Sequence, residues 1–133
     1  DIALTTLSQQ AMDRQDQYYN FSLKGTLFCM GLDVVLRERS KGSYGVQELV
    51  RDLTREYGPG KPFKDEELIG TIARLTGPDV GEFLRRHLEE PSVLPVGEWL
   101  QKAGLAIDPN RKVIGIVKPR TEQRRLRKWW VGR

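Results

Sequence analysis

"LKGTLFCMGLDVVLRER", residues 23–39, carries apolar side chains around most of a helical circumference. Leu23, Leu27, Met30 and Val34 form one stripe at spacings of three and four, and Phe28, Leu32, Val35 and Leu36 form another. A helix of that kind has no wide polar face to offer to water, so the stretch is expected at the centre of a helical assembly. Its apolar core, residues 25–36, has 12 residues and contains Asp33, too short and too polar to cross a bilayer that needs about 20. Cys29 lies inside this run; as the single cysteine it has no internal disulfide partner and is expected to act as a small core hydrophobe.

Helical periodicity continues on both sides. "ALTTLSQQAMDRQDQYY", residues 3–19, places Leu4, Leu7 and Ala11 on one face and predicts a surface helix ending near Tyr19. Downstream, Gly42 is expected to stop the central helix. "GVQELVRDLTREYG", residues 45–58, sets Val46, Leu49, Val50, Leu53 and Tyr57 against a charged face and is closed by Gly58 and Pro59. Asp65 is expected to cap a helix bearing Leu68, Ile69, Ile72 and Leu75, with the acids of "DEE" favoured by the helix dipole. "TGP" at 76–78 breaks and restarts the chain with Pro78 in the first turn. The new helix carries Val80, Phe83, Leu84, His87 and Leu88 on one side, where a lone histidine reads as a packed residue rather than a ligand. Trp99 and Leu100 anchor a short helix that ends at Gly104, and "KVIGIV", residues 112–117, alone has strand character. The expected fold is all-α, five to six helices with a short extended segment near the end: a helical domain over 1–108 and a basic, Trp-containing tail over 109–133.

The 133 residues, 38% hydrophobic and 30% charged, suit one ordinary soluble domain. The charge is uneven. From Arg111 onward nine Lys or Arg stand against one acid, Glu122, so that stretch carries +8 and residues 1–110 carry −4 of the net +4. The chain begins at Asp1 with no signal pattern, and reads as a processed or excised segment. Catalytic motifs are missing: no HExxH, no histidine pair, no Gly-rich phosphate loop, no nucleophile elbow.

Five blocks, in order, resemble the C-terminal half of the glycyl aminopeptidase family of zinc metallopeptidases. They are K-G-x-L-x-x-x-x-L-D-x-x-L-R-E-R-S-x-G from Lys24, "LVRDLTREYG" from Leu49, "FKDEEL" from Phe63, "LTGPDVGEFL" from Leu75 and "LPVGEWLQKAGL" from Leu94. The resemblance spans residues 18–105 and implies a helical subdomain that lies after HExxH and the downstream Glu ligand, packs on the catalytic half and walls the substrate cleft. It implies zinc in that half, none in this chain, and a peptide substrate. It also implies a bacterial periplasmic or secreted location. In this family a tyrosine two residues before the Lys-Gly pair donates a hydrogen bond to the developing oxyanion. Here Lys24 and Gly25 match, but that position is Ser22, whose hydroxyl stops well short of a phenol's. Three readings stay open: a degenerate paralogue without catalysis, Tyr18 or Tyr19 shifted into the role, or a register displaced by a few residues. The rival for Tyr18 and Tyr19 is that both simply cover a helix end.

A second class of function rests on the tail "KPRTEQRRLRKWWVGR", residues 118–133. Arg124, Arg125, Arg127 and Lys128 interleave with Trp129 and Trp130, a pattern suited to a protein partner, to nucleic acid or to an anionic membrane. Docking comes first in this reading, on the chain's own catalytic half or another copy. The tryptophans are then expected to be buried and the basic residues to meet the acidic body.

Overall fold

The structure, a computed structural model, describes residues 2–10 and 15–132, the stretch 15–18 by its backbone alone. Among the described residues it holds seven helices and one small sheet: α1 (Leu4–Gln10), α2 (Gln15–Arg39), α3 (Val46–Glu56), α4 (Asp65–Thr76), α5 (Pro78–Leu88), α6 (Val96–Lys102), β1 (Leu105–Asp108), β2 (Val113–Ile116) and α7 (Thr121–Val131). The chain divides into two units, Asp1–Cys29 with Val46–Leu94, and Met30–Gly45 with Pro95–Arg133.

In the first unit α4 and α5 pack closely, because Gly81 removes the Cβ that would press on the methyl of Ala73. The end of α3 is tied to α4 by Tyr57 and Thr71, whose hydroxyls lie 2.7 Å apart, and by the Arg74–Glu56 ion pair. Thr5 of α1 donates to the Leu88 carbonyl at the end of α5 (3.1 Å). Buried Ala3, Leu4, Leu7, Phe28, Leu49, Ile72, Val80 and Leu84 are the described apolar residues of this unit's core. Phe28 of α2 and Phe83 of α5 stack with ring centres 5.7 Å apart.

The second unit is organised by two tryptophans and two glycines. Gly31 on α2 leaves room for the six-membered ring of Trp99 on α6. Gly42, just past α2, has φ of +89° and donates its N–H to the Arg37 carbonyl at 2.8 Å, which closes the helix. The indole of Trp129 on α7 lies where a Cβ at Gly42 would stand. Gly42→Ala therefore meets both a backbone conformation unfavourable to L side chains and a ring, and is expected to cost about 1–3 kcal/mol. Thermal unfolding followed by far-UV circular dichroism checks this; a melting temperature equal to the parent's would refute it.

Several expectations are corrected. The fold is mostly helical, not all-α: Leu105–Asp108 pairs antiparallel with Val113–Ile116, Leu105 opposite Ile116 and Asp108 opposite Val113. The hairpin is closed by Asp108, whose Oδ1 accepts from the N–H groups of Asn110 and Arg111, an Asx turn that reverses the chain. The basic stretch after Pro119 forms the helix α7, a seventh where five or six were expected. The predicted break between Tyr19 and Leu23 is absent; α2 runs unbroken from Gln15 to Arg39. Asp65 does not cap α4: Lys64 holds that position without a side-chain bond, and Asp65, Glu66 and Glu67 occupy the first turn, where the helix dipole favours them. Cys29 is exposed rather than a core residue, because it lies on the outward face of α2; partial desolvation still holds its thiol above its usual pKa.

Candidate functional site

Three surfaces carry the chemistry that the residues offer. On the first, Tyr19 and Ser22 stand one turn apart along α2, both exposed, Tyr19 at 71%. Their helix is continuous, so Tyr19 occupies a regular helical position. The side chain of Tyr18 lies outside the described residues. Lys24 turns its ammonium to the carbonyl of Ile2 (3.1 Å), and Thr26 donates to the Ser22 carbonyl (2.9 Å). Leu23 and Leu27 are also exposed, so this part of α2 shows a mixed polar and apolar face, and Gly25 has open space beyond its Cα.

The second surface surrounds His87. It is 8% exposed, its Nδ1 lies 3.2 Å from the Ser92 hydroxyl, and its ring meets Phe83 edge-on with centres 4.8 Å apart. Burial pushes its pKa below the usual 6.5; Arg86 and Lys24 act in the same direction and Glu90 opposes them. The unfolded chain thus takes up a proton on this histidine more readily than the folded one. The folded state keeps its full stability above pH 6.5 and loses part of it as pH falls from there through the depressed folded value. Melting temperatures measured between pH 8 and pH 5 (values chosen to bracket about 6.5) are expected to fall on the acid side, and His87→Gln is expected to flatten that part of the curve. An unaltered slope in the variant would contradict this origin.

The third is α7 with the hairpin before it. Gln123 accepts from the Arg120 N–H (2.8 Å) and donates to the Gln101 carbonyl (2.7 Å), which fixes the start of α7 beside α6. Leu126 is buried, Trp129 and Trp130 are half-buried, and Arg124, Arg125 and Lys128 point outward. Leu126, Trp129 and Trp130 follow the spacing of one inward face. The tryptophans are thus only partly enclosed, and the arginines do not meet acids as expected: none of the described ion pairs contains Arg124, Arg125, Arg127 or Lys128. Glu122 is the helix's own single acid. Arg127 is half-buried with its Nη1 enclosed and without a hydrogen-bond partner. Beside Trp129 a cleft of about 400 Å³ is lined by Glu38, Lys41, Lys102, Glu122 and Arg125, with an ion pair between Lys102 and Glu38.

A comparison with family models, with curated proteins and with solved structures finds no match to this chain. Among the described residues no three His, Cys, Asp or Glu side chains lie together as a metal site would require. No described helix is long and apolar enough to cross a membrane.

One surface escaped the sequence reading altogether. An apolar groove of about 500 Å³ runs between α3 and α4, lined by Val50, Leu53, Tyr57, Pro62, Phe63 and Leu68. Tyr57 and Phe63 meet edge-on across it, with centres 5.7 Å apart. Val50, Leu53, Tyr57 and Leu68 belong to the apolar faces read from the sequence, but that they meet Phe63 in a groove depends on the turn that carries its ring.

Proposed function

We propose that this chain is the helical portion, C-terminal to the zinc ligands, of a glycyl-aminopeptidase-like metallopeptidase, non-catalytic by itself. The parent reaction is hydrolysis of a peptide bond, and the zinc and its ligands belong to a catalytic half of the same polypeptide. One observation supports the reading most. The α2 segment that bears the family's Lys-Gly pair shows an uncovered face, Tyr19, Ser22, Leu23 and Leu27, at the place where the family wall of a substrate cleft would stand. A helix with exposed leucines beside hydroxyl groups suits contact with a second body better than contact with water.

The test is direct. The natural polypeptide that carries this chain is isolated, its zinc content is measured, and it is assayed on glycyl anilides. Expected are HExxH and a downstream Glu ahead of Asp1, with one zinc per chain. A polypeptide without that ligand set overturns the reading.

A second reading, a helical binding module, is favoured by the outward cations Arg124, Arg125 and Lys128 on α7. Such residues, none of them in a described ion pair, create a field that attracts an anionic surface. Anionic partners include acidic protein, nucleic acid and membrane.

A further inference from the structure

We infer that the free edge of β2 is a docking site for an extended, acid-flanked protein segment that adds to the hairpin as a third strand. The inference holds whether or not the polypeptide carries a zinc site.

The hairpin is incomplete as a folding unit. A two-stranded sheet is marginal in water unless something covers it. Here Leu105, Ile107, Ile114 and Ile116 share one face by the pairing of Leu105 with Ile116 and Ile107 with Ile114. Of these, Ile107, Ile114 and Ile116 are exposed, the last two at 61% and 71%, and every residue of β2 is exposed. β1 has α6 beside it, whereas among the described residues β2 is paired to β1 alone in a sheet of two strands.

The hydrogen-bond pattern shows which groups wait at the edge. Val117 donates to the Gly104 carbonyl at 3.1 Å, so these two residues form a bonded pair. Antiparallel ladders alternate, which places the next bonded pairs at 106 with 115 and at 108 with 113. The N–H and C=O groups of Ile114 and Ile116 then point away from β1, to the open side. An exposed edge with unpaired donors and acceptors is a template for another strand.

Charge selects which strand. β2 is bracketed by Arg111 and Lys112 on one side and Lys118 and Arg120 on the other, all exposed. Of these four, only Arg111 has a described ion-pair partner, Asp108 at a loose 3.9 Å. A second copy pairing antiparallel through Ile114 and Ile116 would set Lys112 directly opposite Lys118 at both ends. A parallel copy would bring each lysine beside its own equivalent. Like charges opposite one another on neighbouring strands are destabilising, so the edge disfavours its own kind. The same four cations favour a segment with acids at both ends and apolar side chains facing Ile114 and Ile116. Nucleic acid would satisfy the cations but leave the isoleucines and the backbone groups unmet.

The experiment uses the full 133-residue chain and a fluorescent probe peptide, Glu-Glu-Thr-Val-Thr-Val-Thr-Glu-Glu, with a lysine-ended version as control. Fluorescence anisotropy is expected to show the acidic probe binding about tenfold or more tightly than the control. Ile116→Pro deletes an outward N–H without removing a ladder bond, and is expected to weaken the acidic probe by about tenfold while the circular dichroism spectrum is kept. Should that variant lose its fold, the double variant Lys112→Glu/Lys118→Glu decides: its preference should reverse toward the lysine-ended probe. No binding of the acidic probe up to about 1 mM, equal affinity for the two probes, or no reversal in the double variant overturns the inference. So does tighter binding of oligodeoxythymidylate or of phosphatidylserine vesicles than of the probe, lost in the same double variant, which would assign the cations to nucleic acid or membrane.

Discussion

Trp99→Ala is expected to lower the stability of the chain by about 3–5 kcal/mol, the usual cost of emptying a buried aromatic site. Trp99 is 4% exposed and sits on α6, a helix of seven residues that has little stability of its own. Its ring fills the space left by Gly31, so α2 and α6 approach at a position of α2 where no Cβ intervenes. Against a total of about 5–15 kcal/mol for an ordinary domain, that loss is a large fraction, and the melting temperature should fall by on the order of 10 °C or more. Gly31→Ala attacks the same contact from the other side: the added methyl overlaps the ring, and displacing it should cost about 1–3 kcal/mol. Because both changes act on one contact, the double variant should be less destabilised than the sum of the singles, since the ring that the methyl strikes is gone. Urea unfolding of the four proteins measures this cycle. A loss below about 1 kcal/mol in Trp99→Ala, or strict additivity, would show that the indole is not the element that holds α6 in place.

The features that were legible in the sequence are those set locally. α3 and α5 carry strong one-sided periodicity, and Gly42, Pro78 and Gly104 punctuate the chain where positive φ or a fixed proline φ demands it. The continuity of α2 was not legible, because Ser22 and Gly25 are poor helix formers and only tertiary packing outweighs their cost. Which face of α2 is buried was hidden for a related reason: with apolar residues on all sides the pattern has no direction, and Leu23, Leu27 and Cys29 turn out to be exposed while Phe28, Leu32 and Leu36 are buried. β1 escaped notice because four residues of "LAID" acquire strand character only from their partner. The helix α7 was masked by its own charge: Leu126, Trp129 and Trp130 follow a helical spacing, but the five basic residues from Arg120 to Lys128 dominate the reading. For the same reason the positions of Tyr19 and Ser22 were known while their shared exposure, a property of neighbouring elements, was not.

In the polypeptide that carries this chain, Ser22→Tyr is expected to raise turnover on glycyl anilides by about 10²–10³, the worth of one well-aimed oxyanion donor. Under the proposed reading the phenol restores a hydrogen bond that a serine cannot deliver. Both Ser22 and Tyr19 stand on the exposed face of α2, one turn apart, so a new ring at position 22 meets no core and should leave the fold intact. The gain should appear in kcat with little change in KM, because the bond strengthens only as the oxyanion develops. Tyr19→Phe separates the alternatives. Tyr19 is fixed on a regular helix about 4.5 Å along the axis from Ser22, and if its hydroxyl already serves the oxyanion, removing that oxygen costs about 10²–10³ in kcat and Ser22→Tyr adds nothing. If Ser22 marks a lost donor, Tyr19→Phe is neutral and Ser22→Tyr gives the gain. A polypeptide with bound zinc and measurable activity in which neither change moves kcat would show that this turn of α2 does not border the reacting carbonyl, and the cleft-wall reading of the helix would fall with it.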